Sequence, residues 1–284
     1  MRSNLVESRM LLTLASGVVL AAFQSTVADT IIPIDQERSV NTFLIVPQCL
    51  GEDFDEDAAR GFEPFDSTIE TLLGCDSGFG LGAASQQSQI GPNSMTASGA
   101  SASEAIGPVP DVIHAFGHSE FIVTFELESD SEFTVEGFLS AESSEDPIII
   151  LVFAALSLRD VNDRVIFDLM VEPGPDGAPN SVVIDESGLL EPGVYTIEAH
   201  TGSFIDNDVP PSLSGEASFD FVFEVHTTCA ADLDGDGSVG PADLAILLGT
   251  WGPVPTPDPP DFDGDGDVDA FDLAILLGNW GPCP

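Results

Sequence analysis

Lysine is absent from this sequence, and its basic residues are six arginines, at 2, 9, 38, 60, 159 and 164, set against 49 Asp and Glu. A formal net charge of −43 repels phosphate backbones and anionic lipid head groups, which argues against nucleic-acid binding and against binding at a membrane surface. No internal run reaches the roughly 18–20 apolar residues that span a bilayer; the most apolar one, Ile148 to Leu156, has the length of a strand. There is no C-x-x-C or His/Cys cluster of the kind that holds zinc, no H-E-x-x-H, no nucleophile elbow and no phosphate loop. What remains suits divalent cations and solubility in salt, where screening relieves self-repulsion. Outside the C-terminal loops the acidity reads as a solvated surface adapted to brackish or marine conditions.

Four cysteines fit an oxidising compartment. Three pairings are open, and Cys49–Cys75 with Cys229–Cys283 is favoured because each bridge then stays inside one unit. The N-terminus has the layout of a secretion signal: Arg2 and Arg9, a short apolar run from Met10 to Phe23, then the small residues Thr26-Val27-Ala28. The expectation is a signal peptide over 1–28, a mature chain from Asp29, and a secreted protein found extracellularly or at the cell surface, without membrane insertion.

Residues 29–228 read as one mainly β domain, a jelly-roll-like β-sandwich. Phe121–Glu128 and Ala217–Val225 alternate apolar and polar residues. Further strand patterns cover Glu132–Leu139, Ile148–Leu156, Val165–Val171, Ser181–Ile184 and Val194–Ala199, with turns at Glu172–Gly177 and Glu191-Pro192-Gly193. The Ser-, Ala- and Gly-rich stretch from Ser85 to Glu104 is compatible with a loop or with strands of small residues.

Beyond His226 the period changes to a loop–helix repeat. Asp232-x-Asp234-Gly-Asp236-Gly237-Ser238-x-Gly240-Pro241-Ala242-Asp243 aligns without gaps with Asp261-x-Asp263-Gly-Asp265-Gly266-Asp267-x-Asp269-Ala270-Phe271-Asp272. Leu-Ala-Ile-Leu-Leu-Gly follows both, then a tryptophan. A twelve-residue loop supplies calcium with six to eight oxygens from positions 1, 3, 5, 7, 9 and 12. Here those are Asp232, Asp234, Asp236, Ser238 and Asp243, with a water expected in place of Gly240, and Asp261, Asp263, Asp265, Asp267, Asp269 and Asp272. Leu244, Leu247, Leu248 and Trp251 fall at i, i+3, i+4 and i+7, as do Leu273, Leu276, Leu277 and Trp280, so two short helices are expected to pack stripe against stripe. Between them, 253–260 reads as an extended Pro-rich linker. Crowded carboxylates repel, so calcium binding and folding of 229–284 are expected to be one event.

The two segments resemble the type I dockerin family of EF-hand-like calcium-binding modules. The resemblance implies a small all-α pair of calcium loop–helix repeats over 229–284, Ca²⁺ at the positions above, and docking onto a cohesin-like or other extracellular protein. Positions 10 and 11, often hydroxyl residues in that family, are Pro241-Ala242 and Ala270-Phe271, and the basic residues often found on its helices are absent. The layout as a whole resembles secreted proteins of planctomycete-type bacteria.

Asp53-Phe-Asp55-Glu56-Asp57 lacks a position-six glycine and reads as a solvated acidic loop. His114 and His118 are a weak metal pair, because their surroundings read as strand. Tyr195 reads as core. The function expected is calcium-dependent extracellular attachment or assembly by a non-catalytic protein. The alternatives are a secreted polysaccharide-degrading enzyme, a hydrolase or lyase acting on O-glycosyl bonds, and a carbohydrate-binding module in polysaccharide catabolism.

Overall fold

A computed structural model describes residues 31–49, 51–75, 78–107, 113–144, 150–207, 212–227, 229–254 and 260–283. The expected signal at 1–28 and the linker residues 255–259 lie outside them. The chain is mainly β. Among the described residues, twelve long strands come first: β1 (Ile32–Val46), β2 (Gly51–Ala58), β3 (Phe65–Cys75), β4 (Gly78–Ile90), β5 (Ser94–Ile106), β6 (Ile113–Leu127), β7 (Ser131–Ser143), β8 (Ile150–Asp160), β9 (Val165–Val171), β10 (Asn180–Leu190), β11 (Gly193–Asn207) and β12 (Ser212–Thr227). They form two antiparallel six-stranded sheets, ordered β2-β1-β6-β11-β8-β9 and β10-β7-β12-β5-β4-β3.

Alternation drives the packing. The odd positions of β6 and β12 point inward, and their rings meet between the sheets: Phe121 against Phe221 and Phe125 against Phe223, both with centroids 5.5 Å apart. Phe133, Leu139, Leu156, Ile197 and Phe219 continue the same buried cluster. Each ring removes on the order of 150–250 Å² from water, so this aromatic seam is a large apolar contribution to the sandwich.

The stretch left open between loop and strand, Ser85 to Glu104, is β4 and β5. Its small residues have a steric cause. A Cβ on Gly82 would lie 2.4 Å from the Phe116 carbonyl oxygen, and one on Gly117 would lie 2.1 Å from that of Ala83. Here the sheets approach backbone to backbone, leaving no room for the large side chains that mark a strand elsewhere.

Three strands, β1 to β3, were not anticipated by the sequence patterns. The acidic segment 53–57 is a strand and not a loop: β2 pairs with β1 at the sheet edge, with Phe54 opposite Phe43. Its Asp and Glu side chains are solvated, and charge on an exposed edge disfavours pairing with another chain. Arg38 is buried between β1 and the turn that follows β2. It donates to Gln36 Oε1 (2.8 Å), Ser88 Oγ (3.2 Å) and the carbonyls of Gly61 and Glu63 (2.8 Å to the latter). The Cys49–Cys75 disulfide joins the end of β1's strand run to the end of β3, one sheet to the other. Tyr195 is buried, as expected, and its hydroxyl donates to the Glu191 carbonyl at 2.8 Å.

After β12 come two nine-residue helices, α1 (Pro241–Gly249) and α2 (Ala270–Gly278), and four two-residue strands, β13 (Ser238–Val239), β14 (Gly252–Pro253), β15 (Asp267–Val268) and β16 (Gly281–Pro282). Cys229–Cys283 closes this segment. Two disulfides suit an oxidising environment, and among the described residues no helix is long and apolar enough to cross a membrane.

Candidate metal centre

The two aspartate loops fold as near copies. In the first, Asp232 Oδ1 accepts from the amides of Gly235 (2.9 Å) and Asp236 (3.2 Å), and its Oδ2 accepts from Gly237 (2.8 Å). In the second, Asp261 accepts from Gly264 and Gly266, each at 3.0 Å. The chain turns tightly enough for this because Gly237 (φ 87°) and Gly266 (φ 92°) take left-handed backbone, at the sixth position as the spacing requires.

The twelfth position closes each loop. Asp243 Oδ1 accepts from Leu233 (2.7 Å) and Asp234 (3.1 Å), and its Oδ2 accepts from Gly240 (2.6 Å). Asp272 Oδ1 accepts from Phe262 and Oδ2 from Asp269, both at 2.7 Å. Both side chains are buried. The Gly240 amide, joined by Asp234 and Leu233, outweighs desolvation and holds the Asp243 carboxyl below the ordinary range. Burial pushes Asp272 up, but the amides of Asp269 and Phe262 pull it down further, and the net direction is downward. Asp234 and Asp263 go the other way. Desolvation raises both, and repulsion adds to it, from Asp236, Asp243 and Asp232 in one loop and Asp265, Asp272 and Asp261 in the other.

Carboxylate oxygens of Asp232, Asp234 and Asp243 come within 4.8 Å of one another, as do those of Asp261, Asp263 and Asp265. Asp236 and Asp272 belong to the same loops but fall outside these tightest sets. Ser238 turns its hydroxyl to Asp236 Oδ1 at 2.7 Å. Asp267 is exposed, and its amide donates to Asp265. Asp269 caps α2, accepting from the Phe271 amide at 2.7 Å. Each loop is an all-oxygen set with one raised carboxyl, Asp234 or Asp263, and fits a hard divalent cation, which would relieve the repulsion.

The helices correct one expectation. Leu247 and Leu276 are buried with Val239, Val268 and Ala231, and Leu244 and Leu273 are half-buried against them. Leu248 (51% exposed), Trp251 (48%), Leu277 (52%) and Trp280 (47%) are not packed away. A nine-residue helix inserts one line of side chains into so small a core, and the rest of each stripe faces solvent.

Two further features escaped the sequence patterns. On the outer face of the first sheet, His118 and Glu120 of β6 meet His200 of β11. His114 and His118 share a strand face, as expected of strand, and His118 finds its neighbours across strands. On the outer face of the second sheet lies a groove of about 1030 Å³. Its floor is a cross-strand row, Thr68-Ser85-Ala100-Ser218-Ser140-Ser181, one residue from each of six strands. The Ser85 hydroxyl lines it, buried and without a protein partner. Burial raises Glu216, with help from Glu142 and Glu104, and burial raises Asp220.

No family model matches the chain, and no curated protein matches its sequence. Among solved structures, the enzymatically active domain of bacteriophage CBA120 tailspike protein 4 aligns at 10% identity and a TM-score of 0.22, covering 56% of this chain and 19% of that one. Infectious bursal disease virus structures align at 9% identity and 0.17 for the Gx strain (68% of this chain, 65% of that one) and at 8% and 0.17 for the Gt strain (79% and 88%). Similarity this low carries no argument about fold family or activity.

Proposed function

We propose that residues 229–284 are a dockerin-like pair of calcium-binding repeats, and that the protein is secreted and uses them to attach its β-domain to another extracellular protein. The observation that carries this reading is the duplication. Two loops of one design converge carboxylates on one point each, and two helices sharing Asp-Leu-Ala-Ile-Leu-Leu-Gly leave Leu248, Leu277 and the following Trp251 and Trp280 half exposed. A cation that rigidifies the loops also fixes this apolar face, so docking becomes calcium-dependent. The test uses the mature chain on surface-exposed proteins of the producing cell. Retention in calcium and release by EDTA support the reading, provided that a Leu248→Ala/Trp251→Ala/Leu277→Ala/Trp280→Ala variant binds calcium normally and is not retained. Equal retention in chelator contradicts it.

A second reading, carbohydrate binding by the β-domain, is favoured by the groove on the second sheet. Its floor offers a line of hydroxyls, with the unpartnered Ser85 among them, and Phe138, Gln87 and Asn180 on the walls. Sugars are held by such mixtures of polar groups and ring faces. Its acidic lip disfavours anionic glycans. Retarded migration of the mature chain in native gels cast with neutral polysaccharides supports this reading, and reducing-sugar release would extend it to catalysis. Unaltered migration across the panel rules it out.

A further inference from the structure

We propose that His118, Glu120 and His200 form a second metal site, chemically distinct from the aspartate loops, that takes a first-row transition ion of the Zn²⁺ class. The three residues are brought together by register. β6 lies between β1 and β11, and His118 stands opposite Asn41 on one side and Gly202 on the other. The next outward-facing rung sets Glu120 opposite Ser39 and His200. His118 and His200 sit diagonally across β6 and β11, and their imidazoles stack with centroids 6.0 Å apart at an angle of 28°. A Cβ on Gly202 would sit 2.5 Å from the Phe153 ring, which occupies that space instead.

The donor atoms converge. His200 Nδ1 is 3.4 Å from Glu120 Oε1, and one ligand atom from each of the three residues falls within 4.8 Å of the others. A zinc ion with bonds of about 2.0–2.2 Å needs the set to draw in by roughly an ångström, which χ rotations of these partly exposed side chains supply. The rings are already aligned. His118 stacks on Phe116 at 5.9 Å, and its Nδ1 faces Asn41 Nδ2 at 3.4 Å. With the Asn41 amide turned to present its oxygen, Nδ1–H is anchored and Nε2 is left for the ion, the usual way an outer partner fixes a ligating histidine.

Charge favours a cation here. Glu198 Oε2 lies 4.0 Å from His200 Nε2, and Glu37 is within hydrogen-bonding reach of Glu120. Two nitrogens with one carboxylate suit zinc and its neighbours, whereas calcium demands oxygens throughout. Three ligands from two adjacent strands, each partly exposed, leave coordination positions open to water.

The test is zinc titration of the mature chain by calorimetry, with calcium in excess so that the aspartate loops are filled, and with Co²⁺ as a visible-absorption probe of ligand geometry. One zinc equivalent is expected in the wild type and in an Asp261→Ala/Asp232→Ala variant. His118→Ala, His200→Ala and Glu120→Gln should each weaken it by about 100-fold or more, and Asn41→Ala by roughly tenfold. Glu120→Gln preserves size, so the test survives if a histidine variant fails to fold. The proposal is overturned if the wild type takes up no more zinc than the variants, or if removing the loop aspartates abolishes the zinc equivalent.

Discussion

The amide of Cys283 donates to the carbonyl of Gly237 at 3.0 Å, so the segment after α2 is latched onto the first aspartate loop. The converse bond joins Val254 to Gly266, also at 3.0 Å. Around these bonds β16 pairs with β13, and β14 pairs with β15. Each loop is thus held by the chain that leaves the opposite helix, and the acceptors are the very glycines at which the loops turn. Neither repeat can close alone. Asp261→Ala should therefore lower calcium affinity at the intact first loop as well, by roughly fivefold or more. Calorimetry on the variant checks this, with an unchanged first site as the contrary result.

The loops differ at their ninth position, Gly240 against Asp269, and Asp269 also caps α2 through the Phe271 amide. The second loop is expected to bind calcium more tightly. Asp269→Ala should remove that difference and cost about 1 kcal/mol of helix capping. If Asp232→Ala removes the tighter site instead, the assignment of the stronger loop is wrong.

Glu216 and Asp220 are raised by burial at the groove, Glu216 further by Glu142 and Glu104, and Glu104 is itself raised by burial. A carboxyl raised in the folded state binds its proton first in that state. Its stabilising contribution is complete below the unfolded value and is lost as pH rises through the folded one. The contribution of these three groups to the β-domain should therefore grow as pH falls from neutral toward the ordinary carboxylate range, against the opposite contribution of the lowered Glu120 and Asp160, and Glu216→Gln should shrink the first and raise stability at neutral pH. Thermal melts followed through Tyr195, the single tyrosine, read this domain, because both tryptophans lie in the C-terminal segment.

Arg38 ties β1 to the turn carrying Gly61 and Glu63. Arg38→Ala leaves those carbonyls without their donor and opens a void, at a cost of about 2–4 kcal/mol. Arg38→Lys should recover little, since an ammonium cannot span the same acceptors. Urea unfolding measures both; near-wild-type stability in either would contradict the assignment.

The parts legible in the sequence are those where one period dominates. β6 and β12 alternate cleanly because each buries one face. β4 and β5 carry no such mark, since the closeness of Gly82 and Gly117 to the facing backbone forbids large side chains. β2 hides behind its acidic edge. The aspartate loops could be read because their carboxylates lie within twelve residues, whereas His200 joins His118 only through the register of β11 on β6. The helical period put Trp251 and Trp280 on the packed stripe, but both lie past the ends of α1 and α2 and stay half exposed, because a period cannot tell where a helix stops or how small the core is.

The most direct measurement is tryptophan emission and far-ultraviolet circular dichroism of the mature chain, recorded with saturating calcium and after exhaustive EDTA dialysis. Trp251 and Trp280 follow α1 and α2. With the cation removed, both signals should report loss of the two helices while Tyr195 still reports a folded sandwich. Identical spectra and one unchanged melting transition in both conditions would contradict calcium-coupled folding and the attachment that rests on it.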